Sequence, residues 1–231
     1  MSILSVNHLS KKINNKIILE NISFSLGEGH IVGLVGANGA GKTSLMKVIL
    51  GYSDYQEGNF TSIRQDENHC NIGALIENPG LYPFMSGYDN LKLLNESNGT
   101  SPINKIVDDL KMNKYIHNKV KTYSLGMKQK LGIAIAFLNQ PQLIILDEPM
   151  NGLDPKAVRD VRELIVKKAQ EGVTFLISSH ILSELVKITN SILIINKGKI
   201  VTETTEEELN QYENNDIENV LLDIIEKEDQ S

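Results

Sequence analysis

Apolar residues along the chain fall into three kinds of run. Near the start they alternate irregularly with polar ones, as at Ile17, Ile18 and Leu19 and again at Ile22, Phe24 and Leu26, with polar breaks at Asn14-Asn15 and over 27–29. This pattern predicts short antiparallel strands. Further on, the runs at 31–35 and 72–76 read as strands that end in loops, and those at 143–146 and 174–177 are apolar throughout. An unbroken apolar run of this length is the mark of a strand buried on both faces of a parallel sheet. The third kind has helical spacing. It covers 44–50, then Leu91, Leu93 and Leu94, then Ile103, Ile106, Val107 and Leu110, and finally Ile217, Val220, Leu221 and Ile224. Residues 155–170 have the form of a crossover helix, with Asp154 as N-cap, Pro155 at the first position and Gly172 as the stop. The stretch 51–71 is polar and rich in turn formers, and 196–199 (NKGK) reads as a hairpin turn.

This order predicts one α/β domain over 1–231. Its core is built from about 1–76 and 141–205, a helical insertion fills about 77–140, and a C-terminal helix spans about 216–227 before a polar tail. A chain of 231 residues buries a substantial core without disulfides, and its single cysteine, Cys70, is read as an ordinary reduced side chain. The start MSILSVNHLS has neither a basic segment nor a sustained apolar one, which argues against secretion. The most apolar later stretch, 181–195, is interrupted by Ser183, Glu184, Lys187, Thr189 and Asn190, so it is no continuous membrane span. A formal net charge of −6 disfavours nucleic acid as a partner.

Chemistry enters at 36–43. GANGAGKT fills the pattern G-x-x-x-x-G-K-[ST] with a strand before it and a helix after it. Gly36, Gly39 and Gly41 allow a tight turn, so that the backbone N–H groups of Ala37, Asn38, Ala40 and their neighbours point at phosphate oxygens beside a helix N-terminus. Lys42 adds a point charge at the β- and γ-phosphates. Thr43, followed by Ser44, offers a hydroxyl to Mg²⁺. Downstream, Asp147 and Glu148 close the run 143–146 at the sheet edge where ligands bind. Asp147 is suited to hold Mg²⁺ through its water shell, and Glu148 to orient or deprotonate the water that attacks the γ-phosphate.

With LIILDEP and MNGLDP at 143–155, SSH at 178–180 and YSLGMKQK at 123–130, the chain resembles an ABC-transporter ATPase subunit. The resemblance covers most of the chain. It implies a P-loop NTPase fold with a mostly parallel core sheet, an N-terminal antiparallel β subdomain and a helical insertion. It also implies ATP and Mg²⁺ as ligands, ATP hydrolysis, a homodimer in the ATP-bound state, and an integral membrane permease as partner. The protein would then be cytoplasmic, held at the inner face of the membrane through that permease. His180 would contact the γ-phosphate and the attacking water, as the family's switch histidine does. Ser124, with Leu125, Gly126 and Met127, would grip the γ-phosphate bound to the other protomer, a role that is compatible with Ser124 being a plain N-cap. Asp154 would belong to the D-loop between the two sites, or simply cap the following helix. A non-transport member of the family, acting as a regulator or mechanical link, is the alternative reading.

Four positions depart from the family pattern. The signature L-S-G-G-Q loses its first Gly to Leu125 and its Gln to Met127. Glu77 stands where the family has Gln; its carboxylate can still ligate Mg²⁺ and takes part in catalysis, while its charge alters the link between metal and closure. Ile13 occupies the place of the adenine-stacking aromatic, where it serves either as an aliphatic face for the base or as packing. Glu77 and SLGMKQK together resemble the bacitracin-resistance and lantibiotic-immunity branch. Residues 81–85 (LYPFM) set apolar side chains in a loop, either for packing within the insertion or to receive the permease.

Overall fold

A computed structural model describes residues 2–62, 72–97, 99–179, 185–205 and 208. In chain order the elements are β1 (Ser2–Ile13), β2 (Lys16–Gly27), β3 (Ile31–Val35), α1 (Lys42–Ile49), β4 (Glu57–Ser62), β5 (Ile72–Leu75), α2 (Gly87–Leu94) and α3 (Ser101–Asp109). They continue with α4 (Leu125–Phe137), β6 (Leu143–Asp147), α5 (Pro155–Gln170), β7 (Thr174–Ser178), β8 (Ser191–Asn196) and β9 (Lys199–Thr205). The C-terminal helix expected at 216–227 lies outside the described residues, as does Cys70.

The main sheet runs β5-β6-β7-β3-β8-β9, parallel except for the antiparallel edge pair β8 and β9. Its unbroken apolar strands are buried on both sides. Ile144, Leu146, Phe175 and Ile177 face a core shared with α4 and α5, and Leu143, Ile145 and Leu176 face a second core shared with β1, β2 and α1. Alternate residues of a strand point to opposite faces, so every other position joins each core. Burial of one such leucine or isoleucine is worth about 1.5–3 kcal/mol.

The second sheet, β2-β1-β4, is antiparallel. Two expectations need correction here. The first two strands are long, twelve residues each, rather than short. Register shifts along their pairing, with His8 and Asn21 at positive φ, break the two-residue alternation, and bulges of this kind make a long strand look like several short ones. In addition, the polar stretch 51–71 contains β4, which pairs with β1 from Leu4↔Ser62 to Ser10↔Glu57. As an edge strand whose one sizeable apolar residue is Phe60, it carries little hydrophobic pattern.

A buried carboxylate helps fasten the helical insertion to the core. Asp160 of α5 accepts from Lys111 Nζ at 2.5 Å and lies 3.6 Å from Lys130 Nζ of α4, which also donates to Leu110 O at 3.0 Å. Burial alone would push the Asp160 carboxyl up; the hydrogen bond and charge of Lys111, and then those of Lys130, outweigh it and hold it below the ordinary value.

Candidate functional site

The phosphate loop hangs from the middle of the main sheet, because β3 lies between β7 and β8. Gly36 is required by space: a Cβ there would stand 2.1 Å from the carbonyl oxygen of Ile195. Gly41 is required by conformation, at φ 115°, immediately before the first residue of α1. Between them Ala40 N–H donates to Ala37 O at 3.1 Å, and Gly198 N–H of the β8–β9 turn donates to Ala40 O at 2.9 Å. Ala37, Asn38 and Gly39 are exposed, and Thr43 and Ser44 are half-buried. The buried Lys42 donates through Nζ to Gly36 O at 2.6 Å and Ala37 O at 3.2 Å, so its ammonium lies back along the loop.

The acidic pair is brought to the same edge by strand register. Asp147 ends β6 directly opposite Ser178, which ends β7. Thr43 Oγ1 donates to Asp147 Oδ2 at 2.7 Å, and Ser178 Oγ donates to Asp147 Oδ1 at 2.5 Å. Both carboxylate oxygens of this buried side chain are therefore satisfied. Next to it, Glu148 sits at φ 51°, a left-handed conformation that costs a non-glycine residue about 1–3 kcal/mol unless its surroundings hold it. Its N–H donates to Ser178 Oγ at 2.9 Å, and its carbonyl accepts from Gln129 Nε2 at 3.2 Å.

The remaining candidates are spread around this centre. Glu77, at φ 56°, follows β5, and its carboxylate meets Lys47 Nζ of α1 at 2.7 Å. Ser124 is exposed and caps α4, accepting from Met127 N–H at 3.3 Å. It is seated by the preceding Tyr123, whose buried ring donates from its hydroxyl to Tyr115 O at 2.9 Å; burial raises both phenols above the ordinary value. Leu125 stands 65 % exposed, and Gly126 packs against Gly152 of the following loop, with a Cβ position 2.9 Å from Gly152 O. Asp154 caps α5, accepting from the N–H groups of Lys156 and Ala157 at 3.0 Å each. Ile13 ends β1, half exposed, beside the hairpin whose Ile18 and Leu19 pack against Gly41. His180 lies outside the described residues, two positions beyond Ser178. Of the 81–85 loop, Leu81 packs on the core, whereas Tyr82 and Phe84 project, Phe84 at 77 % exposure.

Sequence reasoning missed Ser178, Gln129 and Lys47. Only Ser178 left a signal, as the polar end of a buried strand whose middle, 175–177, is apolar. The donors gathered around Thr43 and Asp147 are all oxygens, which suits a hard cation such as Mg²⁺. No cluster of three or more His, Cys, Asp or Glu forms among the described residues; a magnesium held with a nucleotide needs one or two carboxylates, the phosphates and water.

A profile of the ABC transporter family matches residues 19–151. The chain is 40% identical over 213 residues to the uncharacterized ABC transporter ATP-binding protein YdbJ of Bacillus subtilis (strain 168), covering 88% of this chain and 69% of that protein. It is 38% identical to the lantibiotic transport ATP-binding protein SrtF of Streptococcus pyogenes, over 87% of this chain and 90% of that protein. To the bacitracin transport ATP-binding protein BcrA of Enterococcus faecalis it is 35% identical, over 90% and 71%. Among solved structures, an ATP binding subunit of an ABC transporter superimposes with a TM-score of 0.84 at 26% identity, covering 95% of this chain and 99% of that one.

Proposed function

The chain belongs to the ABC transporter family as an ATP-binding subunit, and on that footing we propose that it hydrolyses ATP to energise a separate membrane permease that exports antimicrobial peptides such as lantibiotics or bacitracin. The observation that carries the hydrolytic part is the 2.7 Å hydrogen bond from Thr43 to Asp147. It ties the phosphate loop to the strand end that bears Glu148, so a γ-phosphate in the loop lies beside a carboxylate held in a fixed backbone conformation.

In this reading the loop at 36–44 binds the triphosphate through backbone N–H groups and Lys42. Thr43 and Asp147 hold Mg²⁺, which when bound neutralises phosphate charge. Glu148 takes the proton of the attacking water, and His180 contacts the γ-phosphate. Ser124, exposed at the N-terminus of a thirteen-residue helix, receives the γ-phosphate of a second copy across an ATP-bound homodimer. Tyr82 and Phe84 project from the loop beyond Glu77, where the permease docks. No helix among the described residues is long and apolar enough to cross a membrane, in keeping with the membrane path being supplied by another chain.

Peptide export is supported by the likeness to SrtF and BcrA and by Glu77 together with SLGMKQK. The test is co-purification with an integral membrane subunit, followed by growth of permease-deleted and Glu148→Gln strains on a panel of peptide antibiotics. Both strains are expected to become sensitive to the same compounds. Recovery of the protein in a soluble complex lacking a membrane subunit would sink the transport reading.

A further inference from the structure

Glu148 keeps its left-handed backbone because two side chains grip it, one through its N–H and one through its carbonyl. Ser178 takes the N–H of Glu148. Gln129, 7 % exposed, directs Nε2 at two successive carbonyls, those of Glu148 and Pro149, at 3.2 Å each. Gln129 lies on α4, five residues after Ser124. The first turn of the same helix packs on the chain just beyond Pro149: a Cβ on Gly126 would meet Gly152 O at 2.9 Å, and one on Gly152 would meet Leu125 Cδ2 at 2.7 Å. Helix α4 and the segment 148–153 thus touch at three places with no slack between them, and packed contacts of this kind transmit displacement rather than absorb it.

We infer that Gln129 is a positioning residue for ATP hydrolysis: it fixes the backbone of Glu148 to helix α4, so that the carboxylate is aligned only when α4 is seated. The inference rests on the hydrolytic role given to Glu148. It deepens that role, because the helix that presents Ser124 to the neighbouring subunit's nucleotide also holds this subunit's own Glu148 in place. Gln129 Nε2 donates to backbone carbonyls, so its effect on the reaction passes through Glu148. Its amide supplies two donors, as many as the two carbonyls it meets.

The experiment uses the full chain. Gln129→Met keeps the length and apolar volume but removes both donors. Its kcat for ATP is expected to fall by between about tenfold and a hundredfold, the scale of a slightly misplaced reacting group, while ATP affinity, read by fluorescent-nucleotide binding, stays within about twofold. Gln129→Glu supplies the second arm. A buried carboxylate facing two carbonyl oxygens is disfavoured, and on protonation it regains one O–H donor. Its kcat relative to wild type is therefore expected to rise at least about threefold from pH 8 to pH 6. Wild-type kcat in Gln129→Met, parallel loss of ATP binding and turnover, or a pH-independent ratio for Gln129→Glu would each overturn the inference. Glu148→Gln measured alongside separates the two layers. If it hydrolyses ATP as fast as wild type, the catalytic assignment itself fails; if it is inactive while Gln129→Met is unimpaired, only the role of Gln129 fails.

Discussion

Lys47 Nζ lies 2.7 Å from Glu77 Oε1, so the carboxylate expected at the place of the family's glutamine is met by an ammonium from α1, four residues after Thr43. Sequence reasoning set the charge of Glu77 against Mg²⁺ and the γ-phosphate, with no partner from the protein itself. The pair is largely solvated, at 36% and 60% side-chain exposure, and such pairs contribute about 1 kcal/mol or less to stability. Glu77→Gln is therefore expected to fold and bind ATP as the wild type does, with a larger effect on peptide resistance than on affinity. Equal affinity together with equal resistance would remove any special role for the carboxylate.

Replacing Glu148 by Gln keeps the shape of the side chain and removes its capacity to accept a proton. Turnover is expected to drop by about a hundredfold or more, the scale of a lost general base, while ATP still binds and a dimer accumulates in size-exclusion chromatography. Unchanged turnover would defeat the assignment.

Ser178 serves two masters, donating to Asp147 Oδ1 and accepting from the N–H of Glu148. Ser178→Ala leaves a buried carboxylate oxygen and a backbone N–H without that hydroxyl, a loss of about 1–3 kcal/mol in stability. Because the register of Asp147 and Glu148 against β7 then loosens, kcat should fall more than ATP affinity. Denaturant melts and mant-ATP titration together check both halves.

Asp160 sets an acid limit on the link between insertion and core. Its carboxyl titrates below the unfolded value of about 3.9, so its contribution is complete above that pH and disappears as pH falls through the lower, folded value. Asp160→Asn should lower stability by about 2 kcal/mol at pH 7, less than for a fully enclosed pair because Lys111 is half exposed and Lys130 keeps Leu110 O. The gap to wild type should narrow in urea unfolding below about pH 4. A gap undiminished at pH 3 would rule the ion pair out as its source.

What could be read from the sequence followed the range of each interaction. The strand at 31–35, the loop GANGAGKT and the helix Pro155–Gln170 with its Asp154 cap are written in neighbouring residues, and the cap and the first position of that helix fall as expected. Strand β4 was invisible because its reason for existing is β1, about fifty residues away, and not its own composition. The same holds for Ser178, Gln129 and Lys47. Each acts on a partner 19 to 31 residues distant; Ser178 and Gln129 fall inside SSH and YSLGMKQK, but those strings do not reveal which groups they meet until the strands are laid side by side.

The ammonium of Lys42, resting on the carbonyls of Gly36 and Ala37, bears on how the loop holds its shape. An uncompensated cation in a ring of N–H donors would push the ring apart. Here the charge rests on two carbonyl oxygens of the loop itself. Lys42 is therefore a brace of the turn as well as a charge, and replacing it removes an internal tie of the loop together with its ammonium.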